Sequence, residues 1–249
     1  MSAENYMRII DLRGKTLTRA EMLAAMPRAE MGTDEATELV QPILDNVKRN
    51  GAKALREYAE RFDHVVPKKL RVPADVMDAA VAQLDPEVRA AIEESIRRAR
   101  AVAQNQVPED FHTDLAEGAR VSERWIPVQR VGLYVPGGKA VYPSSVIMNA
   151  VPAQAAGVES LAIATPPNRN DPDGWPNKTI LATCAMLGVD EVYAVGGAQA
   201  IAMFAYGATD VDDPTNPVLC EPVDKITGPG NIFVATAKRL VSGIVGIDA

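Results

Sequence analysis

Cysteine is nearly absent: only Cys184 and Cys220 occur in 249 residues, far apart and in no CxxC arrangement. That excludes a disulfide framework and a CxxC metal or redox motif, and it reads as a reducing, cytoplasmic setting with both cysteines acting as small hydrophobes. Histidine is equally scarce. His64 and His112 have no metal-ligand neighbour at workable spacing, so both read as surface or helix-end residues. No GxGxxG and no GxxxxGKS/T occurs anywhere, which disfavours a standard dinucleotide fingerprint and a P-loop NTPase. A basic face is missing as well. With 33 acidic and 26 basic residues the net charge is -7, and such a surface repels phosphate backbones, so nucleic acid is not an expected partner.

Long membrane-type runs are also lacking. Segments 140–158 and 192–209 carry no charge, but Pro143, Asn149 and Pro152 interrupt the first, and Gly196-Gly197 and Gln199 the second. A span needs about 20 mostly apolar residues, so both read as buried strand–loop–helix units and no membrane association is expected. The N-terminus, MSAENYMRIIDLRG, has no apolar run of signal-peptide length. What remains is an ordinary globular mixture, 47% hydrophobic and 24% charged, long enough for one large α/β domain or two smaller ones.

The first half, to about Pro127, reads as mostly helical. Thr18 and Glu21 stand at capping-box spacing ahead of a short helix that Pro27 would stop. Leu39, Val40, Ile43, Leu44 and Val47 recur at helical spacing, with Gly51 as a C-cap, and Leu55, Tyr58, Ala59 and Phe62 continue in a second helix. Asp85-Pro86 opens a helix whose apolar stripe is Val88, Ile92, Ile96, Ala99 and Ala103. On its other face Glu93 and Arg97 form an i,i+4 pair, and Arg97, Arg98 and Arg100 read as a solvated face rather than an anion site.

The second half alternates short apolar strands with helices. Strands are expected at 130–135, 161–164, 191–195 and 223–226, and helices at 143–156, 178–187, 198–206 and 231–240. This grammar predicts a parallel sheet covered by helices on both faces, with right-handed crossovers. Three strands run into glycine loops, Pro136-Gly137-Gly138, Gly196-Gly197 and Gly228-Pro229-Gly230. In a parallel sheet these lie along one edge, where open α/β folds bind ligands, and each leads into a helix N-terminus suited to a pyrophosphate. Polar side chains stand close by each loop: Tyr134, Gln199 and Asn231.

At these residues the chain resembles the histidinol dehydrogenase family. Arg130–Gly138 (RVGLYVPGG), Tyr142–Ser145 (YPSS), Val192–Ile201 (VYAVGGAQAI) and Lys225–Leu240 (KITGPGNIFVATAKRL) carry the resemblance, in order and at the right spacing, over most of Arg130–Asp248. The N-terminal half matches more loosely, through Ile10–Gly14 (IDLRG). The resemblance implies an α/β fold of the aldehyde-dehydrogenase-like superfamily, a Rossmann-like nucleotide-binding domain without GxGxxG at 128–240. Residues 1–127 would be the helical part of an incomplete second α/β domain, and 241–249 would begin the return to it. It implies oxidation of L-histidinol through L-histidinaldehyde to L-histidine with NAD and zinc, in a homodimer. Its cofactor contacts would fall on Tyr134, Gln199 and Asn231, whose phenol and amides can bond ribose, phosphate or carboxamide.

The sequence departs from the family in what it omits. The family's substrate serine, zinc ligands and Glu–His acid/base pair would all lie beyond residue 249, so the chain is expected to supply the NAD cradle, with no catalytic or metal-binding residue of its own. The apolar run Val241–Ile247 at the chain end reads as a truncation, and apolar surface is then expected on the helical first half. The 209–222 loop looks longer than the family's minimal form. Other readings stay open: a sister dehydrogenase acting on another polyol or amino alcohol, a non-catalytic nucleotide-binding module, or an aldehyde-dehydrogenase-like enzyme using a cysteine.

Overall fold

The computed structural model describes residues 10–26, 33–137, 140–215 and 217–248. Two compact units are distinguished, Met1–Thr33 and Asp34–Ala249. In the first, α1 (Arg19–Ala25) is opened by the expected capping box: Thr18 accepts from the Glu21 N–H, and the Glu21 carboxylate accepts from the Thr18 N–H. Pro27, expected to stop this helix, lies outside the described residues.

The second unit is built on a five-stranded parallel sheet. Its strands are β3 (Arg130–Tyr134), β4 (Ser160–Thr165), β5 (Glu191–Ala194), β8 (Lys225–Thr227) and β9 (Gly246–Ile247), in the order β5-β4-β3-β8-β9. The chain winds outward from β3 through β4 to β5, then crosses back to lay β8 and β9 on the other side of β3. Counted along the chain this is the 3-2-1-4-5 order of a doubly wound sheet, with its switch point between β3 and β8. The crossovers are α5 (Pro143–Ala155), α6 (Lys178–Met186), α7 (Gly197–Tyr206) and α8 (Ile232–Val241).

Strand residues alternate between two cores. Val131, Leu133, Ile163, Val192 and Ala194 face the layer of α5 and α6, joined by α3 (Ala74–Ala82) and α4 (Pro86–Gln104). Tyr134, Ala162, Ala164, Tyr193 and Ile226 face α7, α8 and α2 (Thr33–Tyr58). Burial on both faces explains why the strands read as unbroken apolar runs rather than alternating ones. The expected strand and helix spans of the second half are all found, with β8 starting two residues late.

The first half is less regular than its sequence implied. Gly51 breaks α2 at φ 50° and ψ -128°, and a Cβ there would collide with the Thr209 backbone, so the residue is needed for close approach as well as for the turn. After Tyr58 the helix widens into a π-turn, Ala59–Asp63, ending at His64 in the left-handed region. Leu39 does not join the core stripe; it is 61% exposed. On α4, Val88 is exposed while Ile92, Ile96 and Ala103 are buried.

The expected Glu93–Arg97 pair is not formed. Arg97 and Arg98 both reach Glu94, three and four residues back, and Arg89 takes Glu93. Glu94 is within reach of both guanidiniums, which outbids a single pairing.

Two hairpins were not anticipated. β1 (Phe111–Ala116) and β2 (Ala119–Glu123) pair antiparallel with every residue exposed, and β6 (Ala208–Thr209) pairs with β7 (Val218–Cys220) inside the Asp/Pro loop. Apolar exposure in the first half falls both on helices, at Leu39, Val88 and Val102, and on the hairpin and its exit, at Leu115, Val121 and Ile126. The apolar chain end supplies β9, whose Gly246 and Ile247 pair with Lys225 and Ile226. No helix among the described residues is long and apolar enough to cross a membrane.

Candidate functional site

A cavity of about 1210 Å³ lies over the C-terminal edge of the sheet. Its walls are the ends of β3 and β4, the first turns of α7 and α8, and one side of α2 with its π-turn. This is the crevice that the switch point between β3 and β8 predicts for a doubly wound fold. Tyr134, Gln199 and Asn231, from three separate loops, all line it.

Tyr134 ends β3 and is almost fully buried; its hydroxyl accepts from the Gly197 N–H at 3.0 Å. Burial pushes the phenol above its ordinary pKa and outweighs the Gly197 hydrogen bond, with Asp63 adding to the rise. The side chain is therefore a neutral strut between β3 and α7 as well as a wall of the cavity. Gln199 is 2% exposed and folds back over the first turn of α7, where a Cβ on Gly197 would meet its Oε1 at 2.7 Å.

Asn231 is the N-cap of α8. Its Oδ1 accepts from the Phe233 and Val234 N–H groups at 3.0 and 3.2 Å, so it serves the helix first and leaves its amide nitrogen over. The α7 N-terminus differs: Gly196 caps it with no side-chain hydrogen bond. Uncapped N–H groups at a helix start, facing a cavity, form an anion site. Gly138 of the third loop lies outside the described residues, but Pro136 and Gly137 line the wall.

The Gly228-Pro229-Gly230 loop is pinned from behind. Buried Lys238 donates to the Gly228 carbonyl at 2.5 Å and to Asp248 Oδ1 at 2.7 Å, while Asp248 Oδ2 accepts from the Gly228 N–H at 2.8 Å. Gly228 (φ 119°) presses so closely on the Tyr134 carbonyl that any Cβ would collide with it. The two central loops of the site are thus in backbone contact.

Sequence reasoning missed Asp63. It lines the cavity from the end of the π-turn, and its Oδ2 is buried with no hydrogen-bond partner. Burial raises its pKa to about 6, against a weaker opposing pull from Arg169. Neither cysteine lines the cavity, and burial raises Cys184 to about 12 and Cys220 to about 11. Both thiols stay protonated near neutrality, which removes the nucleophile that a cysteine mechanism needs.

Comparison with known proteins fits this geometry. The family model described as histidinol dehydrogenase matches residues 26–249. The chain belongs to the histidinol dehydrogenase family. It is 77% identical over 247 residues to the histidinol dehydrogenase of Bifidobacterium longum, covering 99% of this chain and 52% of that relative. With the Thermobifida fusca histidinol dehydrogenase the identity is 58% over 240 residues, 96% of this chain and 52% of the relative. A crystal structure of histidinol dehydrogenase from Elizabethkingia anophelis superimposes with a TM-score of 0.83 at 29% identity, covering 94% of this chain and 51% of that one. The chain therefore spans about half the length of the histidinol dehydrogenases it matches.

Proposed function

We propose that this chain is the dinucleotide-binding half of an NAD-dependent histidinol dehydrogenase. The observation that carries the reading is the cavity at the sheet's switch point, where an uncapped helix start, Tyr134, Gln199 and Asn231 converge. The residues fit NAD: the α7 N-terminus would take the pyrophosphate, the Gln199 amide and the Asn231 nitrogen would bond ribose or carboxamide, and Leu39, Phe62 and Phe233 offer apolar faces to the bases. Bound NAD would supply the hydride acceptor; this chain's residues bind it, orient it and exclude water behind it.

By family, the complete enzyme would take L-histidinol through the aldehyde to L-histidine in the last step of histidine synthesis, as a cytoplasmic zinc-dependent homodimer. The aldehyde-dehydrogenase-like superfamily would be its fold class. For zinc, the residues in hand do not fit: among the described residues no three His, Cys, Asp or Glu side chains gather in a metal-holding group. No step through a metal is derived from this chain. The division into 1–127, a nucleotide-binding core at 128–240 and a returning segment at 241–249 is proposed alongside.

The test is a calorimetric titration of the purified chain with NAD+, together with an assay for NADH formed from L-histidinol and zinc. Saturable binding without turnover is expected. No binding at millimolar NAD+ would remove the cradle, and NADH formation would show that this half carries the chemistry too.

A further inference from the structure

Asp63 Oδ2 is the one buried side-chain oxygen or nitrogen without a hydrogen-bond partner among the described residues. Buried polar atoms are nearly always paired, because an unpaired one forfeits its hydration for nothing, and a carboxylate forfeits more than most. An orphan carboxyl oxygen in the wall of a ligand cavity therefore marks where a donor on the ligand belongs.

Its position says which donor. The π-turn carries Asp63 off the end of α2, and the following residues lie along the loop after β4: Lys68 N–H donates to the Asp173 carbonyl at 2.8 Å, and Gly174 packs on Val65 and Pro67. Arg169 of that loop is the charge Asp63 feels. In a doubly wound fold, β4 is the second strand from the switch, and the loop after it is where the adenosine ribose lies and where an acid usually accepts from it. Here β4 runs into Thr165-Pro166-Pro167-Asn168-Arg169, and the loop's two acids are engaged away from the cavity: Asp171 accepts from the Asp173 and Trp175 N–H groups, Asp173 pairs with Lys68, and neither lines the cavity wall. The carboxylate missing from the sheet edge is supplied from the helix layer.

We propose that Asp63 accepts hydrogen bonds from the adenosine ribose hydroxyls of the dinucleotide, and so selects the unphosphorylated cofactor over its 2′-phosphorylated form. The assignment rests on the reading of the cavity as a dinucleotide site. A 2′-phosphate would remove one donor and bring like charge against the carboxylate. Exposed Arg169 stands on the loop side and is the group that would favour such a phosphate if Asp63 did not decide the matter.

The experiment is a calorimetric comparison of NAD+, NADP+ and 2′-deoxy-NAD+ on the wild-type chain and on Asp63→Asn, with circular dichroism to confirm folding. Wild type should bind NAD+ at least about tenfold more tightly than either other ligand. In Asp63→Asn the NAD+ affinity should fall by a similar factor, and the penalty for the missing 2′-hydroxyl should shrink. The 2′-deoxy ligand on wild type makes the test independent of any variant's folding. Tight NAD+ binding that ignores both the 2′ position and the substitution would overturn the role of Asp63 alone. Failure of wild type to bind any dinucleotide would overturn the underlying reading and this one with it.

Discussion

The Tyr134 hydroxyl accepts the Gly197 N–H at 3.0 Å, joining the end of the first strand of the winding to the helix start two crossovers later. The bond spends one of α7's free donors on the protein and sets the height of that helix start over the sheet. Tyr134→Phe keeps the ring in the core and removes only the acceptor. A loss of about 1 kcal/mol in urea unfolding is expected, with a severalfold weaker NAD+ affinity. Unchanged affinity would make the tyrosine purely structural.

Much of this was legible in the sequence, and the exceptions share a cause. The strands from Arg130 to Ile226 and their helices were readable because each strand is buried on both faces and so shows as a short unbroken apolar run between turn residues. Tyr134, Gln199 and Asn231 were readable because each stands beside a glycine turn. Asp63 was not. In Arg61-Phe62-Asp63-His64 it looks like a solvated helix-end acid, and the groups it acts on across the cavity, Tyr134 and Arg169, stand far along the chain. The β1–β2 hairpin was invisible for the opposite reason: no residue in it is buried, so it has no apolar alternation to read.

Asp63 also makes a stability prediction with a definite sign. Its folded pKa is raised from 3.8 to about 6, so the ionised carboxylate destabilises the folded chain. That penalty is absent below about pH 4, grows as pH rises, and is complete above the folded value. Asp63→Asn should therefore raise stability by about 2–3 kcal/mol at pH 8, and the gain should vanish by pH 4. Denaturant unfolding at both pH values measures it; a gain that does not depend on pH would contradict the burial argument.

Lys238 and Asp248 form a coupled pair behind the Gly228 loop. Burial alone would raise the Asp248 pKa, but the bonds from Lys238 and the Gly228 N–H hold it below the ordinary value. Its contribution to stability is thus present above the unfolded pKa and is lost as pH falls through the lower, folded one. Asp248→Ala strands a buried ammonium and should cost about 2–3 kcal/mol. The double variant with Lys238→Met should cost less than the sum of the singles, and additivity in that cycle would refute the coupling.

Arg130 holds the opposite edge of the sheet. Its guanidinium bonds Glu191 at 2.5 and 2.8 Å and Ser160 at 2.5 Å, clamping the starts of β3, β4 and β5. Burial opposes the Glu191 charge, and the Arg130 bonds overcome it. Arg130→Met takes the guanidinium from that half-buried carboxylate, leaving it the Tyr193 hydroxyl at 2.6 Å, and should cost about 2–4 kcal/mol. NAD+ affinity should stay within about twofold, since the clamp lies at the strand starts and the cavity at their ends. A large fall in affinity at full folding would place ligand contacts at the wrong edge.

The most direct test of a dinucleotide site at the switch point is amide hydrogen exchange with and without saturating NAD+. The account predicts slowed exchange at Ala198 and Gln199, in the uncapped first turn of α7, and around Gly228–Asn231, with β1 and β2 unaffected. Unchanged exchange in both loops, or protection confined to a surface away from the sheet's C-terminal edge, would contradict it.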